Sequence, residues 1–101
     1  MDEQTPTTEQ EVGIVTHYWG HLGVAGVHLT APLDVGDRIH ILGSTSDFEQ
    51  DVDSIEIDHE KVLRADAGAD AGIRVAEHAR EHDKIYKLIP AADVGVGEDA
   101  L

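Results

Sequence analysis

Cysteine is absent from the 101 residues, which excludes disulfides, thiol nucleophiles and thiolate metal sites. Aromatic side chains are nearly absent too: one Trp, two Tyr and one Phe make up 4% of the chain. A core must therefore be built from Val, Ile, Leu and Ala, and a chain this short buries only a modest one. Positive charge is scarce, with seven Lys and Arg against 21 Asp and Glu, for a formal net charge of -14. No apolar run approaches the roughly 20 residues of a membrane helix. The acidic, polar residues 1–11 lack the basic and apolar stretches of a secretory signal, so a cytoplasmic location is expected.

Two explanations compete for the acid excess. An acidic disordered chain is argued against by the regular apolar alternation through the middle of the sequence. Adaptation to molar salt fits better: the Debye length there falls to roughly 3 Å, and surface carboxylates cease to repel strongly. A halophilic, acidic protein is the expectation.

Residues 1–11 read as a disordered acidic tail, 12–89 as one β-barrel domain and 90–101 as a flexible C-terminal tail. Within the domain, Val12, Ile14, Thr16 and Tyr18 alternate with Gly13, Val15 and His17, a strand period. Residues 24–30, 38–42, 48–57, 71–76 and 84–89 read as further strands, with Pro32 and Gly36-Asp37 as turn chemistry. The apolar phase slips between Val52 and Ile55, which predicts a bulge near Asp53-Ser54. Residues 58–65 read as a short helix or a loop crossing. The expected fold is all-β: a small, closed or partly open, six-stranded antiparallel barrel.

The order of Gly13-Ile14-Val15-Thr16-His17-Tyr18, then residues 24–29, then Leu33-Asp34-Val35-Gly36-Asp37-Arg38-Ile39 resembles domain 2 of elongation factor Tu. The Thr-His-Tyr and Thr45-Ser46-Asp47-Phe48-Glu49-Gln50 elements look like small stand-alone translation-factor-like proteins. They are also similar to the C-terminal barrel of the collagenase-like peptidase family, some members of which act in tRNA hydroxylation. The likeness spans residues 12–88. It implies a binding module for RNA or for a partner domain. His82-Asp83 stands where this pattern often has Gly-Asp, which leaves the geometry of that turn open. No G-x-x-x-x-G-K-[ST] occurs, so GTP binding is not expected.

Other constellations carry little chemistry. His17 with His21 and His78 with His82 have metal-ligand spacing only on a helix, and neither pair sits in a helical pattern. Asp47, Glu49, Asp51 and Asp53 share one strand face and read as a solvated acidic surface; Glu56 replaces the glycine an EF-hand requires. Gly20, Gly23 and Gly26 lack the following helix of a phosphate loop and read as turn or bulge glycines. Ser44, Ser46 and Ser54 lie outside any nucleophile elbow. The expectation is no enzyme, no catalytic residue, no metal and no cofactor.

RNA binding draws on Tyr18, Trp19 and His21, aromatic residues beside glycines at a strand end, where exposed rings stack bases. Packing of Tyr18 and Trp19 on the core is the alternative. Arg74, Arg80, Lys84 and Lys87 supply positive charge, and Arg74, Lys84 and Lys87 read as one basic stripe. The expected function is thus a non-catalytic module binding tRNA or ribosomal RNA in translation or RNA modification. The alternative is a protein-interaction module docking on a separately encoded enzyme, with no membrane partner. If the acid excess is salt adaptation, the melting temperature falls as KCl is lowered from molar to millimolar. A melting temperature that stays flat or rises over that range refutes the halophile reading.

Overall fold

The computed structural model describes residues 7–90, which form strands joined by turns and bends. The strands are β1 (Thr7–Trp19), β2 (Val24–Leu29), β3 (Leu33–Asp34), β4 (Arg38–Leu42), β5 (Asp47–Asp51), β6 (Ile55–Ile57), β7 (Glu60–Val62), β8 (Arg64–Ala65), β9 (Asp70–Arg74) and β10 (Lys84–Pro90). Eight form one sheet in the order β5-β4-β10-β1-β2-β9-β6-β7, and β3 pairs with β8 in a small second sheet. Every pairing is antiparallel. The all-β expectation holds, with ten strands rather than six.

Strand β1 is long because it serves two partners. It pairs with β10 over residues 7–14 and with β2 over residues 13–19, with register shifts at Glu11/Gly13 and Val15/His17. Each shift reverses which face a side chain takes. Val12 and Val15 are therefore both buried although three residues apart, and the strict alternation expected for 12–18 is broken twice. Strands β4 and β9 alternate regularly, sending Ile39, Ile41, Ala71 and Ile73 inward. The core is as aliphatic as the composition requires: its largest fully buried side chains are Leu, Ile and Val, with Phe48 at its edge. Each such side chain is worth about 1.5–3 kcal/mol of burial.

Three turns share one design. Asp34 to Asp37, Asp66 to Ala69 and Arg80 to Asp83 each close with the fourth N–H donating to the first carbonyl at 3.1 Å. In each the third residue has positive φ: Gly36 at 101°, Gly68 at 92° and His82 at 78°. In the first and last, an Asp carboxylate also accepts the N–H of the first residue, Asp37 from Asp34 at 2.9 Å and Asp83 from Arg80 at 2.8 Å. His82 thus takes up the left-handed conformation that glycine would hold more cheaply, and the turn's geometry survives the replacement.

Residues 58–65 contain no helix. Asp58 and His59 both have positive φ, 53° and 67°, and link β6 to β7 as a two-residue hairpin turn of the primed type. Asp and His tolerate that conformation, but the pair lacks the Asn-Gly signature that announces it. The phase slip after Val52 is a break between β5 and β6 rather than a bulge. At the ends, β1 begins at Thr7 and β10 runs to Pro90, so residues 7–11 and 90 belong to the sheet. The rest of both expected tails lies outside the described residues.

The sheet curls until β5, at one edge, meets the end of β9, with which it shares no ladder. The buried side chain of Gln50 bridges the gap: Nε2 donates to the Arg74 carbonyl at 2.8 Å and Oε1 accepts the Ala76 N–H at 2.6 Å. Across the sheet, His40 joins three strands. Its Nδ1 lies 3.0 Å from Glu9 Oε2 on β1 and its Nε2 2.7 Å from Asp47 Oδ1 on β5. Only the doubly protonated ring donates at both nitrogens. Partial burial disfavours that charge, but the hydrogen bonds and charges of Asp47 and Glu9 outweigh it and raise the His40 pKa above 6.5.

Replacing Gln50 with Leu leaves two backbone groups without partners, at about 1–3 kcal/mol each. Urea unfolding should show a loss of about 2–4 kcal/mol; a loss below about 0.5 kcal/mol would mean the bridge is not needed for closure. Because the folded pKa of His40 is raised, its contribution is full below pH 6.5 and lost as pH rises through the folded value. Stability should therefore decline as pH is raised above 6.5, and His40→Phe should remove this component. Parallel curves for the two proteins would contradict the clamp.

Candidate functional site

One row of register partners crosses the outer face of the sheet: His17 on β1, Gly26 on β2, Gly72 on β9, Glu56 on β6 and Lys61 on β7. The two glycines leave neighbouring positions on β2 and β9 without side chains. Strands lie about 4.8 Å apart, so His17 and Glu56 stand about 14 Å apart across the two glycines, and the space above Gly26 is taken up by the Trp19 indole. The result is a groove of about 580 Å³ whose lining includes Trp19, Leu22, Glu56, Asp58 and Asp70.

The Trp19 wall is set by the β1–β2 turn. The N–H groups of Leu22 and Gly23 both donate to the Trp19 carbonyl, at 3.0 and 2.9 Å. The indole leans over Gly26, where a Cβ would come within 3.1 Å of its Cζ3. The His17 ring lies 4.4 Å from it, tilted by 55°. Trp19 remains 39% exposed and Leu22 56% exposed, a costly display in a chain with one tryptophan. The opposite wall is acidic, formed by Glu56 and by Asp58 in the left-handed turn; Asp70, two residues from Gly72 on β9, also lines the groove, with its carboxylate 2.9 Å from His28 Nδ1. Leu22 also lines an adjoining pocket of about 540 Å³ along the β5–β9 seam, with Arg38, Glu49, Asp51 and Arg74.

The residues nominated from the sequence scatter. Trp19 is on the outer face, whereas Tyr18 is half-buried, packed on the core and 4.4 Å from the His78 ring. His21 is exposed in the turn. Arg74 on β9 is separated from Lys84 and Lys87 on β10 by β2 and β1. Lys84 pairs with Glu11 at 3.6 Å and Lys87 with Asp37 at 3.3 Å. Arg80 is exposed in the turn before β10. The expected basic stripe therefore does not form, because strand order, not sequence proximity, decides which residues share a face. Asp47, Glu49 and Asp51 do share the solvent side of β5, with Arg38 beside Glu49 and Asp51.

Gly26 and Gly72 escaped the sequence reading as a pair. A glycine inside a strand signals a close approach, but their adjacency depends on the β2–β9 register. Neither histidine pair lies on a helix, and among the described residues no group of three or more His, Asp or Glu converges as a metal site.

No family model matches the chain. The fold is that of the C-terminal domain of a Geobacillus thermoleovorans protein described as a U32 peptidase, with a TM-score of 0.73 at 18% identity, covering 77% of this chain and 91% of that one. The selenomethionine variant of the same domain matches at a TM-score of 0.72 and 18% identity, over 75% of this chain and 96% of that one. In sequence the chain is similar to an uncharacterized protease of Methanocaldococcus jannaschii, 34% identical over 79 residues, or 77% of this chain. The chain spans only 19% of that relative's length. These likenesses support the collagenase-like peptidase half of the resemblance; the elongation factor Tu half gains nothing from them.

Proposed function

We propose that this chain is a non-catalytic β module that docks on the catalytic body of a U32-type peptidase. The observation that carries the reading is one of proportion. The chain corresponds to a minor part of a protease sequence and to nearly the whole of a separately crystallised C-terminal domain. A unit of that kind sits beside a larger catalytic body.

RNA binding has less behind it. Two of its four cations are already held by carboxylates, and the exposed tryptophan stands opposite an acidic wall that repels phosphate. The test is co-expression of this chain with a U32-type catalytic domain from the same organism, followed by size-exclusion chromatography. An equimolar co-eluting complex is expected. Separate elution, together with a tRNA complex that depends on Trp19, would overturn the docking reading in favour of RNA.

A further inference from the structure

We propose that the glycine-floored groove receives an arginine side chain presented by an extended segment of the docking partner, an inference that rests on the docking reading above. Two features of the groove select this chemistry. The first is shape. With the indole laid over Gly26, the side-chain-free position at Gly72 leaves an open space between the Trp19 wall and the Glu56 wall. The Trp19 ring lies over Gly26 and beside the His17 ring, yet stays partly open to solvent. An indole face held in this way suits a planar cation, and guanidinium stacks on it better than ammonium does.

The second feature is charge. Glu56 and Asp58 face the groove and have no ion-pair partner among the described residues, while Asp70 is engaged only by His28. Lys61 follows Glu56 in the register but makes no ion pair with it among the described residues. Carboxylates on one side and an indole on the other would seat a guanidinium by forked hydrogen bonds and by stacking together. A phosphate-bearing ligand would meet the same carboxylates as repulsion.

Trp19 is the sole tryptophan, so its fluorescence reports on the groove directly. The probe is the blocked peptide Ac-Gly-Arg-Gly-Arg-NH2, titrated into the full chain, with its citrulline counterpart as the uncharged isostere. The variant that closes the groove is Gly72→Val. A Cβ there meets only Val24 Cγ1, at 3.5 Å, an ordinary contact, and valine favours a strand. The second variant, Glu56→Gln with Asp58→Asn, leaves shape intact and removes charge.

A saturable change with the arginine peptide is expected, weakened about tenfold or more by citrulline, by Gly72→Val and by the charge variant. No change up to millimolar peptide, equal response to citrulline, or an unaltered response in Gly72→Val would overturn the proposal. Its failure is separable from failure of the docking reading. If Gly72→Val still co-elutes with the catalytic domain, docking stands and the groove is not its site. If peptide binds but no complex forms, the groove stands and the docking reading falls.

Discussion

A sheet of eight strands built from aliphatic side chains has to hide one face, and with so few aromatics it does so by curling on itself. The curl brings β5 to β9 without a ladder to join them. The Gln50 amide supplies what is missing, one donor and one acceptor directed at the backbone just where β9 ends. Because the group is buried, its two bonds cannot be exchanged for water at little cost. Phe48, paired with Ile41 on β4, and Val52, bonded through its backbone to Gly36 and Asp37, point inward on either side of it. The apolar interior is thereby divided from an outer face free to carry other features.

That outer face is where the chain departs from what stability alone would favour. Strands normally carry β-branched or aromatic residues, and glycine in a strand interior is unfavourable. Two glycines placed side by side on neighbouring strands, with the only tryptophan leaning over one of them, give up local stability and leave a depression with an apolar wall and an acidic one. The rest of the charged surface mostly satisfies itself. Arg38, Arg64, Lys84 and Lys87 lie against carboxylates, and His40 is clasped between two. Pairs of this exposed kind add little to stability each, but they take most of the cations out of contention for a phosphate ligand.

Much of the fold was legible in the sequence. Period-two patterning located the strands around Ile39, Ile41, Ala71 and Ile73, and the Gly36-Asp37 pair marked its turn. What escaped were features fixed by long-range register or by residues standing in for glycine. The bulges in β1 arise because one strand satisfies two neighbours, which no local window reveals. The Asp58-His59 turn uses left-handed residues other than glycine, as His82 does, so the hairpin beyond it read as a crossing. For the site, Trp19 was legible as an unusual residue beside glycines. Its acidic counterpart was not, since Glu56 reaches it only through the pairing of β6 with β9. The basic stripe failed for the same reason in reverse: residues close in sequence were assigned by strand order to different places.

Amide hydrogen exchange of the chain, alone and with a U32-type catalytic domain, tests the docking account and its location together. The Trp19 to Gly23 turn and the Asp58-His59 turn flank the groove from its two walls and are exposed in the isolated chain. Slowed exchange at both, with no change at the β4–β5 turn, whose residues line neither the groove nor the adjoining pocket, is the predicted footprint. Protection confined to the β4–β5 side, or none at all, would contradict it.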